Sequence, residues 1–331
     1  MTTIQARPGS PYARLYSVGS AIPSRVVDNE EMCTYIDSSD EWIQQRTGIT
    51  ERRWIAEGED AQSLAKKAAE SAIERSGLSL DQIDAVIVST VSQYKQTPAM
   101  APLLAADLGL QDAAAFDIGA ACAGFCYGVA QADALVRSGA ATHVLVVGVE
   151  TLSKITDLHD RSTAFLFADG AGAAVVGPSE VNGIGPVEWG SDGYQAEVID
   201  MTADWLTAVE QGVPSYVKMN GQAVFRWATG YIADAAKRTL EAAGITPDQL
   251  DCFIPHQANN RITDSMLRHL KLPEKVVVAR TIKQLGNTSA ASVPIAMDEL
   301  LSSGQAKSGD TALIIGFGAG LVYAGQVVVL P

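Results

Sequence analysis

The chain has 331 residues, of which 47% are hydrophobic, so it is long enough for two domains or for one duplicated fold with a large core. Its formal net charge is −14, and a uniformly acidic surface repels nucleic acids and anionic membranes, so we expect neither as a partner. Residues 1–20 lack the continuous apolar segment of a signal peptide, and no stretch approaches the roughly 18 apolar residues of a membrane span. We therefore expect a soluble cytoplasmic protein.

The first strongly patterned segment follows a loose lead-in of about a dozen residues. Residues 68–87 (AAESAIERSGLSLDQIDAVI) predict an amphipathic helix that stops at Gly77, a short acidic turn and a buried strand. Further along, residues 143–148 (HVLVVG) predict another buried strand. Helices that alternate with continuous apolar strands are typical of mostly parallel sheets covered on both faces, which is an α/β fold.

Cys122 is the first candidate for chemistry. It lies in the run DIGAACAGF, where small neighbours let a substrate approach and where a helical pattern begins. The free N–H groups and positive end of that helix are expected to favour the thiolate over the thiol. None of the four cysteines forms a CxxC or Cys/His cluster, so we predict neither a disulfide framework nor a metal site, and we interpret the other three as structural.

The chain repeats itself. Residues 235–254 match residues 68–87 at an offset of 167, and residues 311–316 match residues 143–148 at an offset of 168. The ends of two helices, ADALVRSG and MDELLSSG, match at an offset of 165, which would place Asn287 opposite Cys122. We therefore predict two duplicated halves. Their ranges are 1–183, which carries the cysteine, and 184–331.

The connection between the halves is predicted in the Gly- and Pro-containing stretch 178–193. Residues 194–217 then break the repeat, and we predict that they form an inserted flap or cap.

His256 and Asn287 are the candidates in the second half. His256 follows the predicted strand 252–255 at its carboxyl end, where open α/β sheets place their ligands. Asn287 lies in the turn GNTS, where it can serve equally as a helix N-cap. The Gly-rich stretch 316–320 is a weak match to a phosphate loop, and its backbone N–H groups suit an oxyanion hole. The pattern indicates that Cys122 is a nucleophile assisted by the imidazole of His256 and the carboxamide of Asn287.

A basic stripe is predicted beside His256. Arg261, Arg268 and Lys271 fall on one side of a helix, opposite its apolar side chains. A solvated helix face accounts for such a stripe equally well. In a protein with this net charge, however, it suits an anionic carrier or nucleotide.

These segments together resemble the 3-oxoacyl-acyl-carrier-protein synthase III family of the thiolase fold, over essentially the whole chain. The resemblance rests on SDEWI, RTGI, AACAGF, PHQAN, RI and GNTS, which begin at residues 39, 46, 120, 255, 261 and 286. It implies a homodimer with a thiolase-like five-layer αβαβα sandwich and the first condensation of type II fatty acid synthesis. The reaction would be a decarboxylative Claisen condensation of an acyl-CoA with malonyl-acyl carrier protein, an acyltransferase activity without a metal or other cofactor.

The resemblance also implies the roles of individual residues. Cys122 would be acylated by the acyl-CoA, and His256 and Asn287 would stabilise the enolate formed when malonyl loses CO₂. The N–H groups of Cys122 and Ala319 would form the oxyanion hole. The CoA would be bound by Trp42, Arg46, Arg161 and Asn259, and the carrier protein by Arg261.

Three positions depart from the family pattern. Ala319 stands where glycine is frequent, but its N–H group is retained. Ala168 also replaces a glycine. Thr97 stands where some members have a phenylalanine that closes the acyl pocket across the dimer, so branched or longer primers are expected to fit.

Other activities are left open by the residues. A priming synthase or CoA acyltransferase of a polyketide or specialised-metabolite pathway would use the same Cys, His and Asn. Thiolases need a second cysteine near residues 316–325, which this chain lacks, and chain-elongating synthases use two histidines. A cysteine hydrolase or a carrier-binding scaffold without activity is disfavoured.

Overall fold

The computed structural model describes residues 3–5 and 7–331. The strands are β1 Tyr12–Ala21, β2 Arg25–Asp28, β3 Glu51–Trp54, β4 Ala85–Ser89, β5 Ala114–Ile118, β6 Val144–Thr151, β7 Asp169–Ser179, β8 Glu188–Ser191, β9 Ile199–Met201, β10 Val217–Met219, β11 Cys252–Pro255, β12 Val277–Val278, β13 Thr311–Gly318 and β14 Val322–Val329. The helices are α1 Asn29–Met32, α2 Asp40–Thr47, α3 Ala61–Ser76, α4 Met100–Asp107, α5 Gly124–Ser138, α6 Trp205–Gln211, α7 Gly221–Trp227, α8 Ala233–Ala243, α9 Asn260–Leu270, α10 Ile282–Leu285 and α11 Ser292–Ser302.

Two five-stranded sheets have the same topology. Their orders are β5-β4-β6-β7-β1 and β12-β11-β13-β14-β8. In each sheet the first three strands are parallel and the last two are joined by antiparallel pairing. This identity of order and direction agrees with the duplication that the sequence repeat predicts.

Helices cover both faces of both sheets and produce five layers. Helices α3 and α4 pack on the outer face of the first sheet, and α8 and α9 pack on the outer face of the second. The buried central layer consists of α5 and α11, whose apolar side chains contact both sheets. The predicted five-layer αβαβα sandwich is therefore confirmed.

The two halves share a central hydrophobic core in addition to the clusters on their outer faces. The central cluster contains Leu15 and Val146 from the first half and Ile254 and Ile314 from the second. The chain leaves the first sheet at Ser179 and enters the second at Glu188, within the predicted connection. The boundary after residue 183 stays a prediction, because the packing continues across it.

The predicted flap forms a small unit outside both large sheets. Strands β9 and β10 pair antiparallel as a two-stranded ribbon, and α6 connects them. None of the helices in the described part of the chain combines the length and apolar character that a membrane crossing requires.

The predicted equivalence of Cys122 and Asn287 is wrong. A 3₁₀ turn precedes each central helix, at Ala121–Ala123 and Ser289–Ala291, and the first residue of each turn has a positive φ, 42° at Ala121 and 47° at Ser289. These turns match at an offset of 168, which pairs Cys122 with Ala290. The offset of 165 holds only at the far ends of the helices, because α11 has 11 residues where α5 has 15.

Candidate active site

A cavity of about 600 Å³ opens at the carboxyl ends of the central strands. It brings together eight of the residues that the sequence singles out, although they come from distant parts of the chain. They are Trp42, Arg46, Cys122, Arg161, His256, Asn259, Arg261 and Asn287.

Cys122 lies at the middle of the tight turn between β5 and α5, and it is half-buried. Gly318 at the end of β13 packs directly against its sulfur, where a Cβ atom would lie only 2.8 Å from Sγ. Burial raises the pKa of the Cys122 thiol to about 12. The expectation of a resting thiolate is therefore wrong, because the loss of hydration outweighs the field of a helix that begins two residues later.

Two backbone donors converge on the same sulfur. The N–H groups of Cys122 and Ala319 lie near Sγ and oppose the rise of its pKa. Ala319 follows β13 and is half-buried. Backbone N–H groups beside a nucleophile are able to stabilise the carbonyl oxygen of a bound acyl group when it gains charge, which is the task of an oxyanion hole.

His256 directly follows β11 and is 2% exposed. Its Nδ1 lies 2.7 Å from the Ser292 Oγ at the start of α11, and its ring packs edge-on against Phe317 at a centroid distance of 5.3 Å. The Gln257 N–H donates to the same Ser292 Oγ at 3.3 Å, so the hydroxyl hydrogen is available to Nδ1. This arrangement favours the tautomer with its proton on Nε2. Burial also lowers the pKa of His256 to about 3, so the ring is neutral.

Asn287 is held by both its backbone and its side chain. Its N–H donates to the Leu166 carbonyl and its own carbonyl accepts from the Ala168 N–H, each at 2.9 Å. Its Oδ1 accepts from the Ser289 N–H at 2.9 Å, which leaves the Nδ2 amino group as the donor for a ligand. The N-cap alternative is thus only partly right, since Asn287 orders the turn before α11 while presenting an amide donor.

Glycine at position 286 is required by this turn. Its φ is 69°, and a Cβ atom there would lie 2.9 Å from the Ala168 Cβ. Ala168, one of the departures from the family pattern, is fully buried in this contact.

The cavity mouth is cationic. The Cζ atoms of Arg46 and Arg161 lie 5.5 Å and 5.2 Å from the Trp42 ring centroid, within cation–π distance. Arg226 and Arg261 also line the mouth, and the lining residues among those that the structure describes include no Asp or Glu. In the described part of the chain none of these four arginines forms an ion pair. A local positive field in a protein of charge −14 attracts anionic ligands to this opening.

Asn259 has a structural position as well as a place in the lining. Its Oδ1 accepts from the Arg261 N–H at 2.9 Å as the N-cap of α9, and its Nδ2 donates to the Arg46 carbonyl at 3.0 Å. Asn259 therefore connects the backbone of Arg46 with that of Arg261. Arg261 itself is exposed, with its Cζ 5.3 Å from the Phe225 ring centroid.

Thr97 is not brought to the cavity within a single subunit. It lies exposed in the loop between β4 and α4. The expected role depends on a second subunit, so it stays a prediction.

Several lining residues were missed by the sequence reasoning. The flap supplies Ile199 and Met219, and the helix after it supplies Phe225. The break in the repeat signalled a cap, but it could not show which side chains face inward. Ser292 and Phe317, which hold the imidazole, were missed although both are close in sequence to residues that were singled out.

Comparisons with known proteins agree with this geometry. Models of the 3-oxoacyl-(acyl-carrier-protein) synthase III family match residues 116–193, and of its C-terminal region residues 240–330. The beta-ketoacyl-(acyl-carrier-protein) synthase III of Streptomyces glaucescens is 54% identical over the full length of both chains. The chain belongs to the 3-oxoacyl-acyl-carrier-protein synthase III family. It is therefore an acyltransferase of the ketosynthase type.

Other family members are similar over comparable lengths. The mycobacterial beta-ketoacyl-(acyl-carrier-protein) synthase III of Mycobacterium tuberculosis is 49% identical, over all of this chain and 99% of the relative. The crystal structure of the priming beta-ketosynthase from the R1128 polyketide biosynthetic pathway superposes with a TM-score of 0.97 at 46% identity, over 100% of this chain and 99% of that one. The 3-oxoacyl-(acyl-carrier-protein) synthase III of Aquifex aeolicus has a TM-score of 0.88 at 38% identity, over 96% and 99%.

Proposed function

We propose that this chain condenses an acyl-CoA primer with malonyl-acyl carrier protein and so initiates type II fatty acid synthesis. The observation that carries the proposal is that Cys122, His256 and Asn287 meet in one cavity. Its lining, within residues 3–5 and 7–331, contains four arginines and no Asp or Glu. The arginines suit the phosphates of CoA and of a carrier-protein arm, and the deep groups suit thioester chemistry.

The first half-reaction acylates Cys122. Its thiol loses a proton as the sulfur attacks the acyl-CoA carbonyl. The C–S bond to CoA then breaks, and CoA departs as a thiolate that is protonated afterwards. The N–H groups of Cys122 and Ala319 stabilise the negative charge on the carbonyl oxygen during attack. Covalent capture of the primer divides the reaction into two steps and predicts ping-pong kinetics.

The second half-reaction forms the carbon–carbon bond. The malonyl thioester loses CO₂, and its carbonyl oxygen then carries the enolate charge. We assign the Nε2–H of His256 and the Nδ2–H of Asn287 as the two donors to that oxygen. A neutral imidazole is a suitable donor because it needs no reorganisation and is fixed by Ser292. The enolate carbon attacks the acyl group, and Cys122 leaves as a thiolate that regains its proton.

Decarboxylation supplies the carbanion without a strong base, so the proposed mechanism requires no metal or redox cofactor, and CoA thioesters enter as substrates. At the mouth we propose Trp42, Arg46, Arg161 and Asn259 as the CoA contacts. We assign Arg261 to the carrier protein, because it is exposed at the start of α9.

We further propose that the active form is a homodimer in the cytoplasm. Strand β5 is at the edge of the first sheet, and its Phe116 is 38% exposed. The loop that contains Thr97 also exposes Val91 and Tyr94, at 46% and 59%. An unpaired edge beside exposed apolar side chains is suited to pairing with a second copy. The four cysteines are free thiols, which accords with a reducing compartment.

Intact-protein mass spectrometry tests the proposed function. Incubation with acetyl-, butyryl-, isobutyryl- and isovaleryl-CoA should add the corresponding acyl mass to the wild type and none to Cys122→Ala. Subsequent malonyl-acyl carrier protein should remove that mass and produce the 3-oxoacyl carrier. Release of free acid without a condensation product would instead indicate a hydrolase.

The same panel tests the predicted acyl pocket. Thr97→Phe should retain activity with acetyl-CoA and lose about tenfold or more with the branched primers, because a phenyl ring would fill the space that they need. Equal primer preference in the two proteins would contradict the role of Thr97.

A priming synthase of a polyketide or specialised-metabolite pathway is the second candidate. It is favoured by the TM-score of 0.97 to the priming beta-ketosynthase of the R1128 pathway. Comparing carrier proteins from fatty acid and polyketide systems as acceptors distinguishes the two, since the correct partner should show the higher kcat/KM.

A further inference from the structure

Glu150 is a buried carboxylate beside the nucleophile to which the mechanism above gives no role. It lies on β6 and is fully buried. One oxygen accepts from the Ser92 hydroxyl at 2.6 Å and from the Val91 N–H at 3.1 Å. No arginine, lysine or histidine in the described part of the chain forms an ion pair with it. Burying a carboxylate that only neutral donors hold lowers the free energy of unfolding. Its presence beside the nucleophile therefore suggests a function.

Ser289 connects this carboxylate to Cys122. The Ser289 hydroxyl donates to the other Glu150 oxygen at 3.2 Å. The same side chain lies near the Cys122 sulfur, where it acts to lower the pKa of the thiol. Its backbone N–H is fixed by the Asn287 Oδ1, and its φ of 47° holds the turn in an uncommon conformation. The thiol, the hydroxyl and the carboxylate therefore form a continuous chain.

His256 is poorly suited to accept the thiol proton, because burial lowers its pKa to about 3. Burial raises the pKa of Glu150 to about 7, which is near neutral and thus suited to proton exchange. Two further titratable groups are near Glu150 among the described residues: Tyr94, in the loop after β4, and Asp169, on the neighbouring strand β7. The Tyr94 hydroxyl donates to the Thr151 carbonyl, and the Asp169 carboxylate accepts from Ser153, so neither competes for this role.

We propose that Glu150, acting through Ser289, accepts the proton of the Cys122 thiol when the acyl-CoA is attacked. The S–H bond breaks and its proton moves to the Ser289 Oγ, while the Ser289 hydroxyl proton moves to Glu150. The sulfur forms its bond to the acyl carbon, and CoA departs as a thiolate that takes a proton from water. When condensation later releases the Cys122 thiolate, the proton on Glu150 returns along the same path.

The inference rests on the proposed acylation of Cys122, and rapid-quench mass spectrometry of the acyl-enzyme tests it between pH 5.5 and 8.5. In the wild type the acylation rate should rise with an inflection near pH 7. Glu150→Gln keeps the shape of the side chain, and it should lower the rate at pH 7.5 by about 10²-fold and remove the inflection. Ser289→Ala should have the same effect.

Ser92→Ala is the matched control. The Ser92 hydroxyl donates to Glu150 at 2.6 Å, but Ser92 is not among the groups that shift the pKa of the Cys122 thiol. Because this substitution removes a hydrogen bond to the ionised carboxylate, the inflection should persist and move to higher pH.

A second readout separates the relay from a structural role. Decarboxylation of malonyl-acyl carrier protein needs His256 and Asn287, so the Glu150→Gln acyl-enzyme, prepared by long incubation, should release CO₂ within about threefold of the wild-type rate. Acylation of Glu150→Gln or of Ser289→Ala with the wild-type rate and pH profile would overturn the inference. Equal loss of acylation and decarboxylation in both variants would also overturn it, in favour of a structural role. If the wild type forms no acyl-enzyme at all, the proposed function fails instead.

Discussion

Gly318 provides the sharpest test of how tightly the nucleophile is held. In Gly318→Ala the added Cβ would lie 2.8 Å from both the Cβ and the Sγ of Cys122. Nonpolar atoms are comfortable at about 3.5–4.0 Å, so the cysteine side chain must retreat by roughly 0.7–1.2 Å. A displacement of about 1 Å at a reacting atom costs about 10²-fold in rate. We therefore expect acylation by acetyl-CoA to slow by about two orders of magnitude.

The assay follows acyl-enzyme formation by intact-protein mass spectrometry, and urea unfolding measures stability in parallel. Overpacking should lower the free energy of unfolding by about 1–3 kcal/mol, which leaves the protein folded. Gly230→Ala is the matched control, because Gly230 lies in a π-helical turn where no described residue outside that turn comes within 4 Å of the added Cβ. It should acylate at the wild-type rate and gain up to about 1 kcal/mol of stability. If Gly318→Ala acylates within threefold of the wild type, the reasoning from this contact is refuted.

Three further predictions address the imidazole, the mouth and the buried carboxylate. Ser292→Ala removes the hydroxyl that fixes Nδ1 of His256. Condensation from the acyl-enzyme should therefore slow by about 5- to 150-fold, the equivalent of a buried hydrogen bond of about 1–3 kcal/mol, while acylation is unchanged. If rapid-quench kinetics show that both half-reactions slow equally, this assignment of Ser292 is contradicted. Replacing Arg46 and Arg161 with alanine should raise KM for acyl-CoA roughly tenfold at low salt with little change in kcat, and the difference should shrink at 0.5 M salt as screening increases. A salt-independent ratio would argue against phosphate contacts. Burial raises the pKa of Glu150 from 4.5 to about 7. The contribution of this group to stability is therefore complete below about pH 4.5 and is lost as the pH rises through 7. Between pH 5 and 8 the free energy of unfolding should fall by about 3 kcal/mol more in the wild type than in Glu150→Gln. Parallel pH–stability curves for the two proteins would contradict the burial of an ionisable group.

The fold could be inferred from the sequence because its evidence is local and repeated. Each half carries the same order of helix, glycine stop and apolar strand, and buried parallel strands have continuous apolar runs. The duplication therefore predicts two like sheets, and the structure has two sheets of identical order. The positions of Cys122 and His256 were also predictable, since Cys122 lies in the turn between a strand and a helix and His256 directly follows a strand. These features depend on neighbours within about ten residues.

The protonation state of the site was decided only by the tertiary structure. The sequence indicated a thiolate at Cys122 because a helix follows it. In the structure β13 packs against the sulfur, and desolvation destabilises the thiolate more than the helix stabilises it. The predicted equivalence of Cys122 and Asn287 was wrong because α11 is four residues shorter than α5. An offset measured at the C-terminal ends of the two helices does not reveal this difference in length.

The hydrogen bonds that orient the site connect residues far apart in the chain. Glu150 and Ser289 are separated by 139 residues, and Asn259 reaches the Arg46 carbonyl across 213. The amino-acid sequence thus determined which elements form and which side chains are available for chemistry, because short-range pattern specifies them. The tertiary structure decided which side chains are desolvated, charged or already engaged, because burial and hydrogen-bond partners depend on segments that meet only after folding.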